Sequence, residues 1–382
     1  MKTILLAVSG SIAFYKAYEL ISLFKKENFK VKVLLSEGVL KFASRLSFEA
    51  LCDSVLCVEN ESWENDNNHI KFSKDCDIIV FAPASVNSIN KLAYGISDNL
   101  FIQTLIASSK PLIIAPAANS NMYNHFSTQI SLKILEKNKA IIIKPIVKKL
   151  ACKDEGIGAL ADIKDIFNIV KRQLFKEKFF ENKNIVITCG GTKEKIDDVR
   201  FISNFSSGKM AKAIADAFYF LGANVRLLSS VEFKAPYAVY NFESSKDLKN
   251  LIDKFQNDDF LIMAAAVSDF VQKYTKGKIK KGKENLNLSL NLNEDLLKNT
   301  KFKGIKIGFK MELDEKNALD NAKKALIEKK LDMICLNILG DKNNFGSNFN
   351  QLSFITKNDI STSKLISKEE LGYILARMCE KL

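Results

Sequence analysis

The stretch 4–24, I-L-L-A-V-S-G-S-I-A-F-Y-K-A-Y-E-L-I-S-L-F, decides the fold class. Residues 4–8 are an unbroken apolar run, the mark of a strand buried on both faces. Ser9-Gly10-Ser11 turns the chain. Ala13, Ala17, Leu20, Ile21 and Phe24 then recur at helical spacing and share one face. Strand, tight turn and amphipathic helix open a βαβ unit. The rhythm continues with strand candidates at 31–35, 78–82, 112–115 and 140–143 and helical patterns between them. That alternation predicts a parallel sheet covered on both sides.

A closing helix is read over 163–181, and the pattern then restarts. Residues 185–188, 224–228, 261–265, 305–309 and 332–336 read as strands, and 209–221 as a helix stopped by Gly222. Leu286, Leu288, Leu290 and Leu292 alternate with polar residues, which predicts a strand with one wet face. A terminal helix is read over 369–381. The fold class is therefore α/β, with two doubly wound domains at 1–182 and 183–382. The length of 382 residues suits two domains, each large enough for its own core.

A formal net charge of +13, spread along the chain without an arginine-rich tract, reads as a general preference for anions; neither nucleic acid nor membrane is expected as the main partner. Seven cysteines include no C-x-x-C pair, so a zinc site is not expected. With no apolar leader after Met1-Lys2 and no run long enough to span a bilayer, free thiols in a cytoplasmic protein are expected.

Three polar loops follow predicted strands: Ser9-Gly10-Ser11, A-P-A-S-V-N-S at 82–88 and A-P-A-A-N-S-N-M-Y at 115–123. In an open parallel sheet such loops line one ligand crevice. The turn at 9–11 alone is a weak phosphate signal, since many strand–helix turns use Gly and Ser for geometry. In the second half, 186–210 reads V-I-T-C-G-G-T-K-E-K-I-D-D-V-R-F-I-S-N-F-S-S-G-K-M. Its end offers hydroxyls, backbone N–H groups and a helix N-terminus, a phosphate-binding set. It does not fit G-x-x-x-x-G-K-[ST], because Met210 follows the lysine.

These motifs carry a resemblance. The turn at 8–16, P-A-S-V-N-S, P-A-A-N-S-N-M-Y, and Ala151-Cys152 followed by Gly156 and Gly158 resemble, in order, the motifs of flavin-containing cysteine decarboxylases, with Ala118, Lys153, Ala159 and Leu160 departing from the pattern. The stretch 186–210, A-A-A-V-S-D-F at 264–270, K-I-K-K at 278–281, N-E-D-L-L at 293–297 and L-D-M-I-C-L-N at 331–337 resemble the ligase domain of coenzyme A synthesis. Together the chain resembles the bifunctional phosphopantothenoylcysteine decarboxylase/phosphopantothenate–cysteine ligases.

The resemblance implies a flavodoxin-like FMN domain, in which Ser9, Gly10, Ser11, Ser36, Ser85 and Asn87 hold the cofactor. His69 would be the base at the substrate cysteine, Asn119 the carboxylate anchor and Cys152 the final proton donor. It implies a Rossmann-like ligase domain that activates 4'-phosphopantothenate with CTP and Mg2+ and joins it to L-cysteine. There Asn204 would hold the acyl-cytidylate and Lys278 stabilise a phosphate. Asp269, Asn293, Glu294, Asp295, Leu296, Phe309 and Lys329 would line the CTP site, with Lys323 or Lys324 replacing a family lysine that falls at Ala325. The 4'-phosphopantothenoylcysteine formed would pass to the flavin domain. A homo-oligomer is implied, with flavin-domain trimers and ligase-domain dimers. Competing readings are another flavin enzyme fused to a nucleotide-binding domain, and a flavoprotein regulator without activity. Retention of His69, Asn119 and Cys152 weighs against the second, and the matched second half against the first.

Overall fold

The run at 4–8 feeds two cores. In the computed structural model, β1 (Thr3–Val8) sends Ile4, Leu6 and Val8 into one hydrophobic cluster and Leu5 and Ala7 into another on the opposite face. β2 (Lys30–Leu35), β3 (Ser54–Leu56), β4 (Ile78–Ala84), β5 (Leu112–Pro116) and β6 (Ile141–Ile142) complete a parallel sheet in the order β3-β2-β1-β4-β5-β6. Without the short β3, this is the flavodoxin-like order. Helices Lys16–Lys26 and Ile163–Phe175 cover one face; Val86–Tyr94, Leu100–Ile106 and Phe126–Lys137 cover the other. Winding reverses between β1 and β4, and a crevice opens there at the carboxyl ends.

An antiparallel arm follows, β7 (Ile146–Lys149) with β8 (Glu155–Ala159). It packs on the loop after β5. Ala118 N donates to Gly158 O at 2.9 Å, and a Cβ on Gly158, whose φ is +146°, would lie 2.2 Å from Ala118 O. Only glycine permits this approach.

β9 (Asn184–Cys189) repeats the two-faced design, with Ile185, Ile187 and Cys189 on one side and Val186 on the other. Then come a short pair, β10 (Lys193–Lys195) and β11 (Phe201–Ser203), and the strands β12 (Asn224–Ser229), β13 (Ala238–Asn241) and β14 (Phe260–Met263). A second pair, β15 (Phe270–Gln272) and β16 (Leu290–Leu292), precedes β17 (Ile305–Glu312), β18 (Met333–Ile338), β19 (Phe349–Asn350), β20 (Ser353–Ile355) and β21 (Ile360–Thr362). The main sheet runs β13-β12-β9-β14-β17-β18-β20-β21, parallel through β18 and antiparallel at β20 and β21. Its winding reverses between β9 and β14.

The backbone divides into two compact units, Met1–Leu174 and Phe175–Leu382. The structure describes residues 1–149, 155–281, 286–340, 344 and 346–382. Among the described residues, no helix is long and apolar enough to cross a membrane.

Two sequence expectations need correction. The helix read over 163–181 stops at Phe175. The chain instead bonds Glu177 N to Leu221 O at 2.9 Å, buries Phe180 completely in the second unit's core and turns at Asn182 with φ +70°. The alternating leucines form a strand only at Leu290–Leu292. Their apolar side is not buried, since Leu286, Leu288, Leu290 and Leu292 are 54%, 39%, 45% and 81% exposed.

Candidate active sites

The first crevice is a cavity of about 990 Å³ at the β1/β4 switch point, lined by Gly10, Ser11, Ser36, Ser85, Asn87 and Asn119 among others. A close backbone crossing shapes its floor: a Cβ on Gly10 would lie 2.9 Å from Gly38 Cα. Ser11 Oγ accepts from Ala13 N at 3.3 Å and donates to Ala117 O at 3.4 Å, tying the turn after β1 to the loop after β5. Asn119 caps the helix Ser120–Asn124, its Oδ1 accepting from Asn121 N at 2.9 Å. Ser36 Oγ is buried beside the cavity and, among the described residues, has no hydrogen-bond partner.

Two residues fall away from the cavity that the sequence reading gave them, and a third lies outside the described residues. Ser9 is fully buried and does not line the cavity. Its Oγ donates to Pro83 O at 2.9 Å and accepts from Ser85 N at 2.7 Å, fastening β1 to the end of β4. The hydroxyl is engaged in the frame and is not turned to a ligand. His69 also lies off the cavity lining. It begins the helix His69–Lys74, with Nδ1 2.9 Å from Glu61 Oε1 and its ring edge-on to the exposed Trp63. Cys152 lies outside the described residues; the strands on either side of it, β7 and β8, are paired, and Lys148, Lys149, Gly158, Ala159 and Leu160 border the cavity.

The second crevice, about 930 Å³, lies at the β9/β14 switch point. Asn204, Asp269, Asn293, Glu294, Asp295, Leu296, Phe309 and Lys329 all line it. Asn204 Nδ2 donates to Val267 O at 3.1 Å, which fixes the amide at the rim. Asn293 staples its own loop: Nδ2 donates to Ser268 O at 2.8 Å, and Oδ1 accepts from Glu294 N at 2.9 Å. Asp295 caps the helix Leu296–Asn299 and pairs with Lys329 at 3.0 Å. Burial opposes its ionisation, but the bonds from Lys298 N and Lys329 prevail, so its carboxyl is held below the usual range. Of Lys323 and Lys324, only Lys324 borders the cavity. Lys278 is exposed and absent from the lining.

Residues 1–175 match the family model described as Flavoprotein, and residues 180–382 the DNA/pantothenate metabolism flavoprotein C-terminal domain. The chain is 34% identical over 370 residues to the coenzyme A biosynthesis bifunctional protein CoaBC of Bacillus subtilis, covering 93% of this chain and 91% of that one. It is 32% identical to CoaBC of Haemophilus influenzae, covering 97% and 95%. The chain belongs to the CoaBC family. A solved C-terminal domain of a CoaBC protein is also similar, at 31% identity and a TM-score of 0.45, covering 54% of this chain and 97% of that structure.

In this member of the CoaBC family, further cations border the second cavity that motif reading passed over. Lys209 donates to Gly346 O at 2.7 Å and to Asn348 Oδ1 at 2.9 Å, while Lys310 pairs with Glu312 at 3.2 Å. Lys368 comes from the last helix; burial, and then Lys209, push its pKa below the ordinary lysine value. A lysine opening a surface helix carries no signal of its own, and only the tertiary fold brings it here.

Proposed function

We propose that the chain performs two consecutive steps of coenzyme A synthesis: the second unit ligates L-cysteine to 4'-phosphopantothenate with CTP, and the first decarboxylates the 4'-phosphopantothenoylcysteine so formed to 4'-phosphopantetheine. The observation that supports this best is that most of each unit's motif residues, though not Ser9, His69 or Lys278, line its own switch-point crevice.

In the second crevice, the 4'-phosphopantothenate carboxylate attacks the α-phosphate of CTP, releasing pyrophosphate and leaving an acyl-cytidylate. The cysteine amine then displaces CMP. Asn204, a neutral amide, holds the acyl-cytidylate without repelling its phosphate. Phe309 and the 293–296 loop wall the nucleotide, and Asp269 stands exposed at the rim. Lys278 and Lys329 offset charge growing on the phosphates. Lys329 must leave Asp295 to do so. Among the described residues, no group of three or more His, Cys, Asp or Glu is placed to hold a metal. Mg2+ would arrive on the triphosphate and keep mostly phosphate and water ligands.

The first crevice fits FMN: it has a polar rim, a buried hydroxyl at Ser36 unpartnered among the described residues, and glycines where backbone must approach closely. Gly10, Ser11, Ser36, Ser85 and Asn87 would hold it. Bound there, FMN supplies reversible two-electron oxidation of the substrate's cysteine moiety. Asn119 orients the carboxylate that leaves as carbon dioxide, His69 takes the proton at the thiol, and Cys152 returns the last proton. His69, off its own chain's cavity, would reach the thiol from a neighbouring copy if the flavin units form trimers. Phe270 and Leu292, paired across β15 and β16, and Phe201 on β11 are exposed apolar side chains that ligase-unit dimers would cover. Six described cysteines are free, as suits the cytoplasm.

Absorbance and pyrophosphate release test the two halves separately. The purified chain should show a flavin spectrum, and should release pyrophosphate when given CTP, Mg2+ and 4'-phosphopantothenate. A colourless protein that FMN does not restore refutes the first assignment, and no pyrophosphate refutes the second.

A further inference from the structure

Lys278 is exposed and off the cavity lining, yet the backbone on both sides of it is tied down. Before it, Gly277 N donates to Asp198 Oδ2 at 2.9 Å, and Asp198 N donates to Gly277 O at 3.2 Å. Tyr274 OH donates to the other oxygen of Asp198, and Thr275 N to Ile196 O at 3.0 Å. After it, Ile279 N donates to Asp197 Oδ2 at 3.1 Å, and both terminal nitrogens of Arg200 donate to Ile279 O at 3.3 Å. Arg200 closes the set by pairing with Asp197 at 2.7 Å. Gly277 has φ +82° with no described atom within 4 Å of a would-be Cβ, so among the described residues the glycine serves the turn itself.

We propose that Asp197, Asp198 and Arg200 form a clamp that positions Lys278. They are positioning residues, since none of the three borders the second cavity. The clamp grips both peptide neighbours of Lys278 through their N–H and C=O groups and leaves the lysine's side chain to swing. Fixing the root of a long, mobile cation lowers the conformational freedom lost when its ammonium meets a phosphate. Asp197 is buried, and burial works against its charge; bonds from Val199 N, Ile279 N and Arg200 N, with Arg200 itself beside it, more than compensate, so it remains an acceptor at neutral pH. The two halves of the clamp differ in use. Asp197 is part of the core of the loop, whereas Asp198 is exposed and, among the described residues, hydrogen-bonds to Tyr274 and Gly277 of the Lys278 segment.

The inference rests on Lys278 acting in ligation, and a double-mutant cycle separates the two claims. Asp198→Asn keeps shape and removes the charge that strengthens its bonds. It should slow CTP-dependent ligation roughly 10-fold through kcat, as losing a hydrogen bond to a charged group implies, while the KM for CTP stays put. Tyr274→Phe should act in the same direction and less. In a Lys278→Gln background, Asp198→Asn should cost nothing more, because the clamp would have nothing left to position. A urea melt of the second unit at the parent midpoint reports that each variant is folded. If Asp198→Asn slows the Lys278→Gln enzyme by the same factor as the parent, or leaves the parent at full rate, the clamp is wrong though Lys278 stands. If Lys278→Gln alone ligates at the parent rate, the Lys278 reading falls and the clamp with it.

Discussion

The two units use the same frame, a parallel sheet whose winding reverses beside its first strand, yet the loop leaving that strand differs completely. After β1, a tight turn at Ser9-Gly10-Ser11 runs straight into a helix, and its hydroxyls bond neighbouring backbone. These bonds and the close approach of Gly10 to Gly38 shape the floor of the crevice. After β9, the chain detours through β10, the Asp197–Asp198–Arg200 loop and β11 before its helix begins at Lys209. That detour sets Asn204 at the rim and grips the segment bearing Lys278. A short turn suits a resident cofactor that stays in place. A long one suits substrates that enter, react through a charged intermediate and leave.

The largest effects should come from breaking one unit's chemistry without touching the other. On the proposed roles, Asn204→Asp would put a negative charge beside the acyl-cytidylate phosphate, and Lys278→Gln would remove a positive one. Each should slow ligation roughly 100-fold or more, the usual loss for one transition-state contact. Both should retain decarboxylase activity, and pyrophosphate release measured without cysteine would show which step fails. If both variants ligate cysteine at the parent rate, Asn204 is a turn residue and Lys278 a solvated one. Cys152→Ser is the mirror experiment. It should block the fully reduced product and leave ligation intact; loss of ligation in a folded variant would abolish the division of labour.

An intermediate effect should appear in where the chain can be cut. A second unit beginning at residue 175 keeps Phe180, which is fully buried in its core. One beginning at 183 loses that ring, at a cost comparable to a buried Phe→Ala change of about 3–5 kcal/mol. Urea melts of the two fragments should differ accordingly. Equal midpoints would place Phe180 outside the cooperative core.

The smallest contrast concerns thiols. Burial pushes Cys52 and Cys76 in the first unit, and Cys189 in the second, up to about 11. A raised pKa keeps the thiol protonated below that value, so at pH 8 only about one part in a thousand is thiolate. Alkylation mapped by mass spectrometry should be slow at all three and quicken as pH climbs towards 11. Labelling at the rate of free cysteine at pH 8 would show that these sites open readily.

The sheet frames were legible in the sequence because strands buried on both faces announce themselves as apolar runs, as 4–8 and 185–188 do. The short strands Ser54–Leu56 and Ala238–Asn241 carry too few residues to show a period. The leucines at 286–292 misled because alternation signals a face, not what covers it, and here that face is exposed. At the sites, Asn119, Asn204 and Asp269 were found by motif and do line the crevices. Ser9 and His69 were found the same way and do not, since a motif records residue type and spacing but not the direction of a side chain. Asp197 and Asp198 sat in a quoted motif without a role; their partners, Ile279 and Gly277, are remote in sequence, and only the fold joins them.

One incubation tests the central claim most directly. Purified protein is supplied with 4'-phosphopantothenate, L-cysteine, CTP and Mg2+, and the products are weighed by mass spectrometry. The account predicts 4'-phosphopantetheine with CMP and pyrophosphate, and the decarboxylated but unreduced enethiol in its place with Cys152→Ser. A flavin-replete protein that yields neither 4'-phosphopantothenoylcysteine nor 4'-phosphopantetheine would contradict it.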